Sequence, residues 1–258
     1  MPVNYRVMYK TCPKCHYQRS RQDSTDESVC PACGLVFGKW LQSLVAEEDW
    51  QAVPRPDDAA HSRWGALSCF FLPHRPQMNR AEFVGYGLIY VLFVFWGLDF
   101  IAMDFQSNEI GRSWFHNVDL IFHEAGHVLF TPFGRYVSIL GGSLFQILVP
   151  FFLMFAFLIK NKDGFAASIC LWWVGQSTMD LAPYIADARA LRLPLLGGGT
   201  GADSPGFHDW ENLLRPLGWL RHDTYIAGAF DTIGSGVIIL ALVWGARMLF
   251  IYYKVLFD

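Results

Sequence analysis

The amino-acid sequence predicts a mainly α-helical, polytopic membrane bundle of about five spans, preceded by a small β-rich head built around four cysteines. Three observations carry this reading. Hydrophobic residues make up 53% of the 258-residue chain and charged residues only 17%, against roughly a quarter charged in an average soluble protein, so too few charges remain to cover a water-facing surface. Long apolar runs begin beyond Arg80 and are absent before it. Two Cys-x-x-Cys pairs, Cys12/Cys15 and Cys30/Cys33, stand in the polar first segment. The net charge of −3 and a pI of about 6.2 give no electrostatic reason to expect a nucleic-acid partner.

The composition shift divides the chain into a head over residues 1–50, a linker over 51–80 and a membrane domain over 81–258. The N-terminus, MPVNYRVMYK, lacks the apolar stretch of a secretory signal, so the head is expected to remain in the cytosol. Each Cys-x-x-Cys turn aims two thiolates at one point. Two such turns, fourteen residues apart, close a tetrahedral site for a structural zinc or iron ion, the pattern of a zinc ribbon. Paired knuckles in a cytosolic segment argue against disulfides. A closed four-sulfur site keeps no position open for a substrate, so this ion is not the catalyst. Arg6, Lys10, Lys14, Arg19 and Arg21 are soon offset by Asp23, Asp26 and Glu27, which favours docking of a cytosolic protein partner or a substrate. Cys69 and Cys170 read as small buried hydrophobes.

The apolar runs follow in order. Residues 83–103 are apolar but for Asp99, and about 20 such residues at 1.5 Å each cross the ~30 Å hydrocarbon core. Residues 114–133 are too polar to face lipid. Residues 137–159 form a clear span, 165–190 begin apolar and turn polar near Asp180, and 225–253 form the last span. The link over 191–224 carries GGGTGADSPG and reads as a mobile loop; no Gly-Lys-Ser/Thr follows, so it is no phosphate cradle. With five spans, Arg75 and Arg80 share a side with Arg135, Arg189, Arg192, Arg215 and Arg221, which the bias of Lys and Arg toward the cytosol makes the cytosolic side.

Within 114–133 stands His123-Glu124-Ala125-Gly126-His127. On a helix the i, i+4 spacing puts both imidazoles on one face, where they can hold one zinc ion, and Glu124 can act as general base. Two histidines and a glutamate in apolar sequence are costly unless they pair or ligate something. The same face continues upstream through Asp119 and His116. A polar helix stripe packed against other helices, or lining a water-filled crevice, is the plainer reading of those residues.

HEAGHVLFTPFG resembles the HExGH helix of the site-2-protease clan of intramembrane zinc proteases. The clan carries a second motif on a later helix, an Asn-Leu-Leu-Pro segment leading to an Asp-Gly whose aspartate is the third zinc ligand. Residues 180–187, DLAPYIAD, resemble it, with Asp180 in the Asn place, Pro183 in the Pro place and Asp187 in the ligand place. Ala188 replaces the glycine, and the spacing is one residue short. The resemblance implies His123, His127 and Asp187 as ligands and Glu124 as base. It implies a peptidase acting on membrane-embedded or membrane-adjacent protein substrates, with one catalytic zinc beside the structural ion of the head. HEAGH is expected near the start of its helix and Asp187 near the end of a helix running the same way. Either Pro183 turns the chain back inward, or the third ligand is His208, folding back from the glycine-rich loop, or the deeper Asp180. A non-catalytic scaffold derived from such a protease is the competing expectation. A metal transporter, using His116, Asp119, His123 and His127 as a relay, is a third.

Overall fold

The computed structural model describes residues 10–20, 23–40, 70–73 and 78–257. The chain forms two units, residues 1–65 and 66–258. The expected linker over 51–80 and Cys69 lie largely or wholly outside the described residues, as do Arg6, Arg21 and Arg75.

In the first unit both Cys-x-x-Cys turns fold alike. The carbonyl of Cys12 accepts the N–H of His16 and that of Cys30 accepts the N–H of Gly34, each at 2.9 Å. His16 and Gly34 both take a left-handed backbone, with φ of 59° and 69°. The flanking residues pair as single antiparallel bridges, Thr11 with Gln18 and Val29 with Val36. Every feature of the first turn recurs eighteen residues later in the second. Cys12 Sγ lies 3.7 Å from Cys33 Sγ, and Cys15 Sγ 3.7 Å from Cys30 Sγ. A tetrahedral ion with bonds of about 2.3 Å sets neighbouring sulfurs ~3.8 Å apart, so the four-cysteine cluster fits a structural zinc. The expected β-rich character is not seen: among the described residues the head has bridges but no strand.

The second unit is helical. Helix α1 is Arg80–Ala102, opened by a reciprocal cap between Asn79 and Glu82. Helix α2 is Trp114–Phe130, with Ser113 as N-cap. Helix α3 is Arg135–Ala156, prolonged by a wider turn over Phe157–Asn161. Helix α4 is Gly164–Ala186, α5 is Asp209–Leu214 and α6 is Asp223–Phe257. Three helical stretches among the described residues are long and apolar enough to cross a membrane: Arg80–Ala102, Arg135–Asn161 and Leu220–Phe257. That fits a membrane protein; the other two expected spans fall on α2 and α4, which do not meet that length and hydropathy criterion.

The two remaining segments depart from that expectation for different reasons. Helix α4 has the length, at 23 residues, but carries Ser168, Gln176, Ser177, Thr178 and Asp180, all buried. It packs against α1, α3 and α6, so its polar groups meet other helices and need no apolar exterior. Helix α2 has 17 residues, roughly 25 Å, and it starts inside the bundle. Its Phe115 meets Phe93, Trp96 and Phe100 of α1 and Trp172 of α4, after the chain turns back through two short 3-10 turns at Phe105–Ser107 and Ile110–Arg112.

Losing one crossing reverses the bookkeeping of ends. At one end the Arg80 guanidinium lies over the Phe257 ring and Tyr86 donates to Asp163 at 2.7 Å, which brings together the start of α1 and the ends of α3 and α6. At the opposite end Arg189 pairs with Asp223 at the start of α6. Arg80 and Arg189 therefore stand at opposite ends of the bundle, and the grouping of arginines that assigned a cytosolic side does not survive.

Candidate metal centre

His123 and His127 stand one turn apart on α2, their ring centroids 4.9 Å from each other. The facing helix α3 presents Ser138, Gly142 and Gln146 at the same four-residue interval. The Ser138 carbonyl lies 2.9 Å from His127 Nδ1, and Gln146 Oε1 lies 2.8 Å from His123 Nδ1. Both oxygens accept, so both Nδ1 atoms carry a proton, and Nε2 is the ring atom that a neutral imidazole would offer to a metal ion. Gln146 is itself oriented by its Nε2–H, which donates to the Ser177 carbonyl at 3.0 Å. Between these two supports, Gly142 supplies room. A β-carbon there would stand 2.6 Å from His127 Nε2 and 2.7 Å from His123 Nε2. The helices approach this closely because Gly126 of the HEAGH segment meets the Gly141 backbone, where a β-carbon on Gly126 would lie 2.2 Å from the Gly141 carbonyl oxygen.

The third member is Asp209. Its Oδ2 lies 3.0 Å from His123 Nε2 and 3.2 Å from His127 Nε2. His123, His127 and Asp209 form one of two groups among the described residues able to hold a metal ion, the other being the four cysteines. Asp209 opens α5, and its backbone N–H donates to the Tyr184 hydroxyl at 3.1 Å. Burial acts to raise the pKa of its carboxyl, but the two imidazoles outweigh that and hold it below the usual carboxylate range.

Asp187, the ligand position implied by the family resemblance, is elsewhere. It ends α4 and accepts the backbone N–H groups of Arg192 and Leu193, each at 2.9 Å. Its Oδ2 also faces His208 Nε2 at 3.4 Å. His208 is fully buried, and its Nδ1 is the N-cap of α5, accepting the N–H of Glu211. Burial pushes the His208 imidazole below its ordinary value, which agrees with a neutral ring whose Nδ1 accepts from Glu211. Both candidates thus hold the chain segment that carries Asp209. Asp180 is spent on His116, whose Nδ1 lies 2.9 Å from one carboxylate oxygen and 3.1 Å from the other. Helix α4 runs through Pro183 to Ala186, so that proline does not turn the chain inward. HEAGH occupies the second half of α2, not its start. The link over 191–224 is built rather than featureless, with a Pro194–Thr200 bridge, α5 and a 3-10 turn.

The upstream stripe divides. His116 lines the same cavity as the three-residue cluster, together with Leu120, Glu124, Tyr184, Leu195 and Phe207. That cavity has a volume of about 750 Å³. Asp119 is not part of its lining; it is fully buried, accepting Trp173 Nε1–H and Ser177 Oγ–H at 2.8 Å each. Trp172 is fully buried and Cys170 is buried, both as packing residues.

The donor set fits a zinc ion. Two neutral imidazoles and a carboxylate with bonds of about 2.0–2.1 Å stand ~3.3 Å apart on a tetrahedron, close to the observed 3.0 and 3.2 Å. Without a cation or an extra proton, three lone-pair-bearing atoms would face one another. Glu124, adjacent to His123 in the chain, lines the same cavity. No family model, no curated protein and no solved structure matches the chain.

Proposed function

We propose that the chain is an intramembrane zinc metalloprotease hydrolysing peptide bonds in membrane-embedded or membrane-adjacent protein substrates. The observation that carries the proposal is the convergence of His123 Nε2, His127 Nε2 and Asp209 Oδ2 on one point, with Glu124 in the wall of the same cavity. Zinc held by those three residues would supply an open fourth position, a water acidic near neutral pH and a Lewis acid for a carbonyl.

The remaining roles belong to the chain. Gln146 and the Ser138 carbonyl fix the tautomers of both imidazoles, the outer-sphere support that metal-binding histidines require. The Glu124 carboxylate accepts a proton from the attacking water and returns it to the leaving amine. The substrate backbone must be locally unwound to enter, because peptide groups in a lipid-embedded helix are already hydrogen-bonded. The four-cysteine head, with a structural zinc, serves to recruit a substrate or a cytosolic protein partner.

A non-catalytic scaffold is the second reading, and the same geometry gives it a basis. A protonated imidazole beside Asp209 at 3.0 Å is a satisfied ion pair with no metal present. The two readings separate on Glu124→Gln, which preserves shape and removes the base. In proteoliposomes holding a membrane-protein extract, fragments produced by the wild type should be absent with Glu124→Gln. Identical fragment patterns would remove the protease reading.

A further inference from the structure

A second organised group lies where α1 begins and α6 ends. Arg247, Phe250 and Lys254 occupy one face of α6, at intervals that bring side chains together on a helix. The Arg247 guanidinium carbon lies 5.6 Å from the centre of the Phe250 ring, and Lys254 Nζ lies 5.2 Å from the same centre. The ring is half exposed, and so is the apolar surface beside it at Tyr253 and Val255. Among the described residues neither cation has a carboxylate within ion-pair distance; the arginines that do are Arg189 and Arg215. A ring face attracts both cations but does not cancel their charge.

Position along the helix says what does. Residues 232–246 contain no charged side chain, and Arg247 is the first charge after this run. A basic side chain there reaches the headgroup layer with its stem along the apolar surface. The same end of the bundle carries Arg80, Lys160 and Lys162 as well. We propose that Arg247, Phe250 and Lys254 form a binding site for the phosphate of an anionic lipid, whose acyl chains lie along the exposed apolar face of α6. A soluble anion would need the two charges but not the apolar flank.

The test uses the full chain in detergent, with phosphatidylglycerol or phosphatidylcholine titrated and bound lipid counted by native mass spectrometry. Wild type should retain phosphatidylglycerol in preference to phosphatidylcholine. A basic group near an anionic headgroup contributes about a factor of five, so R247Q/K254Q should weaken phosphatidylglycerol binding roughly 30-fold. The charge-preserving R247K/K254R pair should retain the preference, and all variants should keep the wild-type zinc content and melting temperature. Equal retention of the two lipids by wild type, or an undiminished preference in R247Q/K254Q, would overturn the proposal. Displacement of the lipid by millimolar glycerol phosphate would overturn it too, in favour of a soluble phosphate ligand.

Discussion

Gly142 and His127 are set so close that a β-carbon on Gly142 would stand 2.6 Å from the His127 Nε2 atom. The same atom would be 2.7 Å from His123 Nε2. The missing side chain is therefore the space in which both imidazoles present their lone pairs. Gly142→Ala should push at least one ring out of place, at the ~1–3 kcal/mol typical of overpacking. Zinc analysis of the purified variant should show the membrane-domain ion lost and the cysteine-bound ion kept. Retention of both ions would mean that Gly142 is not the floor of the site.

Asp209 and Asp187 make opposite predictions although both are buried acids of the same region. Asp209→Asn keeps the volume and removes the charge facing two Nε2 atoms, so the membrane-domain zinc and any peptidase activity should be lost together. Asp187→Asn weakens the acceptor for Arg192 N–H and Leu193 N–H. Its cost should appear mainly as a lower melting temperature, of the order of 1–3 kcal/mol for a buried, charge-assisted contact. Zinc content measured beside thermal unfolding separates the two.

Gln146 touches no ligand-facing atom and acts through His123. Gln146→Leu removes the acceptor at 2.8 Å and frees the ring to change tautomer. Zinc affinity should fall by roughly 10- to 100-fold, as for other outer-sphere partners. Competition with a chelator of known affinity measures this. An unchanged affinity would show that the tautomer is set by something else.

In the head, Cys15→Ser should release the structural ion without disturbing the membrane site, since a closed four-thiolate site depends on every ligand. The result expected is a loss of one zinc per chain with His123-dependent zinc intact. Loss of both ions would tie the two sites together.

Much of this arrangement was readable in the residues. The i, i+4 spacing of His123 and His127 brings two imidazoles to one helix face, and two Cys-x-x-Cys turns specify a four-sulfur cluster by local geometry alone. The third partner was not readable, for a physical reason. Asp209 reaches the site through a long connection, and its position depends on Asp187 and His208, which look more like ligands than it does. One local signal was available: in His208-Asp209-Trp210-Glu211 a cap-forming residue opens a short helix, and the residue after a cap is held rigidly. Hydropathy reports length and polarity but not enclosure, so it does not separate a polar helix packed among others from one that faces lipid. Helix α4 is polar because it is surrounded, and α2 is short because it starts inside. The eighteen-residue repeat of the head was visible as well, in the matching intervals Cys12 to Cys30 and Cys15 to Cys33.

Zinc per chain, measured on the full-length protein and on His123→Ala, decides whether His123, His127 and Asp209 hold a metal ion. Two equivalents are expected in the wild type and one in His123→Ala, the survivor being held by Cys12, Cys15, Cys30 and Cys33. One equivalent in both proteins would contradict it, leaving His123, His127 and Asp209 as an ion pair within a scaffold.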